Sequence, residues 1–120
     1  ASGAAFQPGP LMAIYYASKA YVLHFSEAIA EELSGTGVTL TTLCPGPTES
    51  NFWHAANKPN VIRFFPGGMP TSAQVAQYGY KAMMRGDRVA IYGIVNRIAA
   101  FLIRITPRRL VTMLVKRLQG

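Results

Sequence analysis

Tyr15 and Lys19 stand four residues apart in the run Tyr15-Tyr16-Ala17-Ser18-Lys19, with Ser2 upstream and Pro45-Gly46-Pro47-Thr48 closing an apolar run downstream. A spacing of four on a helix puts a phenol and an ammonium on one face, about one turn apart, where the cation can favour the phenolate. A tyrosine so placed can exchange a proton near neutral pH, which an ordinary phenol of pKa about 10 does poorly. The combination points to carbonyl chemistry. The pair by itself is weak evidence, because six tyrosines and four lysines in 120 residues give roughly 0.2 such matches by chance. Its surroundings must carry the rest.

The elements that would hold these residues can be read from pattern. Phe6-Gln7-Pro8-Gly9-Pro10 is turn-rich, and its prolines resist regular pairing. A helix is expected from about Met12 to Ser34, with Val22, Phe25, Ile29 and Leu33 as its apolar stripe and Gly35 as a left-handed stop. Tyr15 and Lys19 then lie in its first turns. Val38 to Cys44, β-branched and nearly all apolar or threonine, reads as a strand buried on both faces of a parallel sheet, ended by Pro45.

Residues 48–70 show no clean period, and Phe52, Trp53, Phe64 and Phe65 alternate there with polar residues and turn formers. A loop of that length with four large aromatics reads as a lid, its aromatics either covering the core or lining an apolar substrate pocket. His54 is expected to be a surface loop residue. Thr71 or Ser72 should cap a helix to about Arg85, with Val75, Tyr78, Gly79, Ala82 and Met83 on one side. Gly86-Asp87 then turns the chain into a short strand, Arg88 to Tyr92.

Beyond Gly93, Ile94, Ile98, Phe101, Leu102 and Ile105 make one apolar stripe opposite Arg97 and Arg104. Thr106-Pro107 suits an N-cap and first helical position. A second amphipathic helix should follow, with Leu110, Val111, Leu114, Val115 and Leu118 against Arg108, Arg109, Lys116 and Arg117. Residues 94–120 hold six of the twelve basic residues and no acidic one, and so carry +6 of the net +7. Such a basic hairpin could lie on an anionic membrane surface or pack its stripe on the domain and leave the arginines in water; packing is the favoured expectation. Nucleic acid is not an expected partner, because no exposed aromatics interleave with the basic residues and no DNA-binding module is recognisable.

Half of the residues are hydrophobic, rich for 120 residues, so some surface should want a partner. The single cysteine, Cys44, allows no internal disulfide and no paired-cysteine metal framework, and His24 and His54 lack neighbouring ligands; no metal is assigned. There is no apolar run long enough to span a membrane and no secretory signal, which makes a cytoplasmic location the expectation, with membrane association through the hairpin as the alternative to its packing on the domain.

Taken together, A-S-G-A-A-F-Q-P-G-P-L-M-A-I-Y-Y-A-S-K-A-Y-V-L-H-F-S-E-A-I-A-E-E-L followed by G-T-G-V-T-L-T-T-L-C-P-G-P-T resembles the second half of the short-chain dehydrogenase/reductase family in the order serine, Tyr-x-x-x-Lys helix, strand, Pro-Gly turn. The resemblance runs from Ala1 to about Tyr92 and more loosely to the C-terminus. It implies an α/β fold, the C-terminal half of a Rossmann-like doubly wound parallel sheet, with a C-terminal helical hairpin at 94–120. Residues 1–120 would be one partial catalytic domain. The Gly-rich turn that holds a dinucleotide pyrophosphate does not occur, since Gly35-Thr36-Gly37 precedes a strand-like run, and the family's Asn-Asn-Ala-Gly segment is missing as well. The chain is therefore expected to be a fragment of a longer enzyme and inactive alone.

By the same resemblance Tyr15 exchanges a proton with the substrate oxygen, and Lys19 lowers the Tyr15 pKa and hydrogen-bonds the nicotinamide ribose. Ser2 steadies the charge developing on the substrate oxygen. The Pro45-Gly46-Pro47-Thr48 turn fixes the carboxamide of NADP or NAD, with Pro45, Gly46 and Thr48 as contacts. The implied reaction interconverts an alcohol and a ketone or aldehyde on a small apolar substrate, and homo-oligomers would form through the helix at 12–34. Two other readings stand beside it: a truncated non-enzymatic interaction or membrane-surface module, and a relative that uses its tyrosine for epimerisation or dehydration.

Overall fold

The structure, a computed structural model, describes residues 1–46 and 69–119. The predicted lid lies outside the described residues except for Met69 and Pro70, and so do Thr48, Phe52, Trp53, His54, Phe64 and Phe65. The described elements form an α/β arrangement, mostly helical. A short 3-10 turn (Gly3–Phe6) precedes helix α1 (Ala13–Glu32), strand β1 (Thr42–Cys44), helix α2 (Ser72–Arg85), strand β2 (Val89–Ile91) and helices α3 (Ile94–Ile105) and α4 (Arg108–Gln119).

The two strands pair in parallel, with Thr42 opposite Val89, Leu43 opposite Ala90 and Cys44 opposite Ile91. Both are shorter than their β-branched runs suggest, and Val38 is exposed outside the sheet. Ladder bonds, not propensity, delimit a strand, and β2 offers partners to only three residues of β1. On the other side of β1, the Ala1 ammonium donates to the Leu43 carbonyl at 3.1 Å and the Gly3 N–H to the Pro45 carbonyl at 2.9 Å. That spacing of two on both segments continues a parallel ladder. Pro45 has no N–H to donate back, so the third segment is held by one-way bonds.

Helix α1 packs on the 3-10 turn and β1, but through a different face from the expected one. Leu23 is 2% exposed and Ala30 is buried, with Tyr16, Ala20 and Ser26 half-buried along the same side. Val22 and Phe25 of the predicted stripe are 38% and 56% exposed, and Phe25 stacks on Tyr21 with ring centroids 6.0 Å apart. The apolar arc of α1 is wider than the surface available to it, and the smaller residues Ala20 and Ala30 allow the closer approach. The core is correspondingly compact: Ala5, Leu23 and Cys44, flanked by Phe6, Val89 and Ile91. Gly35 and Gly37, at φ 82° and 81°, turn the chain after the helix.

In α2, Thr71 is the N-cap, accepting from the Gln74 N–H while the Gln74 side chain accepts from the Thr71 N–H. Val75 and Ala82 are buried as expected, whereas Met83 is exposed. Gly86 closes the helix in the left-handed conformation at φ 77°.

The C-terminal helices depart most from expectation. Ala100 is the buried residue of α3, and the predicted apolar stripe of that helix faces outward. Thr106 does not cap α4: its hydroxyl donates back to the Leu102 carbonyl at 2.7 Å, and the first α4 bond runs from the Val111 N–H to the Pro107 carbonyl at 3.1 Å. Val111 and Val115 of α4 are buried, while Leu110, Leu114 and Leu118 are not.

Candidate active site

The chain leaves the first strand-like segment at Ser2, whose extended backbone caps the following turn: its Oγ accepts from the Ala4 N–H at 3.2 Å. The bond between Gly3 and Pro45 places Ser2 beside the Pro45-Gly46 turn at adjacent strand ends. Gly46 approaches the N-terminal part of α3 so closely that an added Cβ would come within 2.5 Å of the Asn96 amide nitrogen. The same amide donates to the Tyr92 carbonyl at 2.8 Å, so Asn96 is fixed against the turn from the side of β2. Sequence reasoning did not single out Asn96, because an asparagine early in a helix carries no signal of which turn it will meet.

Tyr15 and Lys19 are half-buried on one face of α1, with the Lys19 ammonium 5.4 Å from the centroid of the Tyr15 ring. The contact is of cation–π type and holds the two groups of the predicted pair together. Tyr15 also meets Tyr16 edge to face at 6.0 Å. Tyr16 packs on Gly9, where a Cβ would collide with its ring, so the two neighbouring tyrosines have different surroundings. The Ser18 hydroxyl donates to the Tyr15 carbonyl at 2.7 Å, a helix-surface bond in keeping with a structural role. Before α1 the chain turns sharply, with the Met12 N–H bonded to the Gly9 carbonyl at 3.1 Å and Leu11 held at φ 71°. Leucine is disfavoured in that left-handed region, and the Met12 N–H to Gly9 carbonyl bond closes the turn around it.

At the end of β2, the Tyr78 hydroxyl donates to the Ile91 carbonyl at 3.0 Å, and Arg97 donates both to that carbonyl at 3.1 Å and to the Tyr78 oxygen. Tyr78 packs edge to face on Tyr92, with centroids 5.2 Å apart. This polar knot ties α2, β2 and α3 together beside the Pro45-Gly46 turn. Arg97, expected to point into solvent opposite an inward apolar stripe, instead bonds back to the fold.

Cys44 lies beneath Ser2 and is fully buried. Burial pushes its thiol above the ordinary value of 9.0; the N-terminal ammonium opposes this, Glu27 adds to it, and a backbone hydrogen bond from Ser2 opposes it. A raised folded-state pKa means that the native state keeps the proton longer. Its contribution to stability is present below the unfolded-state pKa and is lost as pH rises through and above about 9. Urea midpoints should therefore fall between pH 7.5 and pH 10, and Cys44→Ala should reduce that fall. An unchanged alkaline decline in the variant would assign it to other groups.

With this geometry in place, comparison with known proteins gives the class. Residues 1–61 match the model of the short chain dehydrogenase family, just over half of the chain, and the chain belongs to that family. Among curated proteins it is similar to mouse 17-beta-hydroxysteroid dehydrogenase type 3, 46% identical over 44 residues, which cover 37% of this chain and 14% of that protein. It is also similar to the probable oxidoreductase EphD of Mycobacterium bovis and Mycobacterium tuberculosis, 42% identical over 50 residues, 42% of this chain and 8% of those proteins. The matched segments thus span a small part of these relatives. No solved structure matches the chain at a significant level.

Proposed function

We propose that the chain is the proton-transferring portion of a nicotinamide-dependent oxidoreductase that interconverts an alcohol and a ketone or aldehyde. The observation that carries this reading is the pairing of Tyr15 and Lys19 on one face of α1 in a short chain dehydrogenase, with Ser2 and the Pro45-Gly46 turn at adjacent strand ends. Tyr15 gives its hydroxyl proton to the carbonyl oxygen in reduction and takes it back in oxidation. The Lys19 ammonium favours the phenolate that remains and offers donors to a ribose hydroxyl. Ser2 Oγ donates to the same substrate oxygen as charge develops on it.

The residues at hand suit one end of NADP or NAD. A cationic side chain beside the acid, with the Pro45-Gly46 turn at the neighbouring strand end, suits the nicotinamide and its ribose, whereas among the described residues no Gly-x-Gly-x-x-Gly turn leads into a helix to take the pyrophosphate. The cofactor, when bound, supplies the hydride. In this reading the chain is the C-terminal half of a Rossmann-like sheet, residues 48–70 are a lid, and Phe52, Trp53, Phe64 and Phe65 select a small apolar substrate. The name of one relative, a hydroxysteroid dehydrogenase, favours an apolar substrate. Homo-oligomers through the outer face of α1 belong to the same reading, supported by the exposure of Val22 and Phe25.

A preparation of the 120-residue chain, verified by mass, should show no saturable turnover of NADH or NADPH with apolar ketones. Fused behind a pyrophosphate-binding half of a family member, it should show such turnover. Turnover by the verified chain alone would refute its dependence on a second half, and an inactive fusion, or an active one indifferent to Tyr15, would refute the proton-transfer reading.

A further inference from the structure

Helix α3 is amphipathic in the reverse sense from a helix that covers a core. Its buried side carries Ala100 and Asn96, while Ile98, Phe101 and Ile105 are 54%, 61% and 69% exposed. At 100° per residue the stripe formed by these residues with Ile94 and Leu102 lies roughly opposite Ala100. Helix α4 buries Val111 and Val115 but leaves Leu110, Met113, Leu114 and Leu118 about half exposed. Each of these two successive helices thus exposes several large apolar side chains of its own, beyond the scattered exposure that any soluble protein shows.

The charge around this surface has one sign. Arg104, Arg108, Arg109, Lys116 and Arg117 are exposed on the same two helices, and residues 94–120 contain no carboxylate side chain. Phe101 and Arg104 also border an open cleft of about 470 Å³ that Arg88 and Arg97 line as well, Arg88 being paired with Glu31 and Arg97 bonded to Tyr78, with Glu27 the acidic residue of its lining. Helices of 12 residues are about 18 Å long, too short to cross a bilayer, and no described helix is long and apolar enough to do so. Exposed apolar side chains interspersed with exposed cationic ones, on helices too short to span, have the character of elements that lie in the interface of an anionic bilayer.

We propose that α3 and α4 form a docking surface for an anionic lipid membrane, with Ile98, Phe101 and Ile105 entering the acyl boundary and the arginines and Lys116 facing the phosphates. A second copy of the chain would not benefit from this charge, since it would bring an identical cationic surface to the contact. The proposal concerns where the protein sits and holds whether or not the oxidoreductase reading does.

The test is cosedimentation of the chain with vesicles of phosphatidylcholine alone and of phosphatidylcholine with about 30 mol% phosphatidylglycerol. Binding to the anionic vesicles should be at least about ten-fold tighter than to the neutral ones, and weakened by salt. Phe101→Ser with Ile98→Ser should weaken it by about ten-fold or more at unchanged helix content, because these side chains support no core. Arg108→Gln with Arg109→Gln should abolish most of the preference for anionic lipid. Equal binding to both vesicle types, native binding by the double-serine variant, or no binding while that variant converts an oligomer into a monomer would each overturn the proposal. The last outcome would assign the surface to protein association.

Discussion

Replacing Tyr15 by phenylalanine is expected to lower carbonyl turnover by a hundred-fold or more in an active polypeptide that joins residues 1–120 to a pyrophosphate-binding half. Under the proposed mechanism the substitution removes the hydroxyl that exchanges the proton and leaves the ring on which Lys19 rests. General acid catalysis is worth about a hundred-fold to ten-thousand-fold, or roughly 3 kcal/mol and more in barrier. Cofactor affinity should barely change, because the loss falls on proton transfer. Lys19→Met is expected to differ, impairing both binding and rate, since that ammonium is assigned both to the phenolate and to the ribose. Tyr16→Phe is the control: Tyr16 packs on Gly9 and should tolerate loss of its hydroxyl with little effect on turnover. Comparable activity in Tyr15→Phe and the parent would show that another group moves the proton.

The second large effect is on stability and distinguishes two neighbouring residues of α1. Leu23→Ala should cost about 2 to 3 kcal/mol, because Leu23 is packed between Ala5 and Cys44 and its removal leaves a cavity in a small core. Val22→Ala should cost less than about 1 kcal/mol, its side chain being already partly in water. Against a total stability of about 5 to 15 kcal/mol for an ordinary domain, the first loss is severe. Urea titration followed by circular dichroism would measure both. Equal losses would mean that α1 presents a different face from the one described.

Much of the candidate site is local and therefore legible in the order of the residues. The four-residue spacing of Tyr15 and Lys19 puts both on one helix face, because helical geometry leaves no alternative. Thr71 with Gln74, and Gly86 after Arg85, likewise mark the ends of α2 through bonds made within a few residues. The order of helices and strands follows from periodicity and turn residues in the same way. The family resemblance carried by residues 1–61 is legible for a related reason: its motifs are short and their chemistry depends on fixed spacing.

What depended on the approach of distant segments was not legible there. The sequence of α1 offers two adjoining apolar arcs, and only packing against the 3-10 turn and β1 decides that Leu23, rather than Val22 and Phe25, is buried. The ends of β1 depend on how many residues β2 presents, which the β-branched run from Val38 does not contain. Asn96 reaches Gly46, and Arg97 reaches Tyr78, across separations of 50 and 19 residues, and neither side chain announces its partner. The outward stripe of α3 is the clearest case. Its period specifies that one face is apolar, while the direction of that face is set by Asn96, Arg97 and Ala100, which seat the opposite side of the helix on the fold.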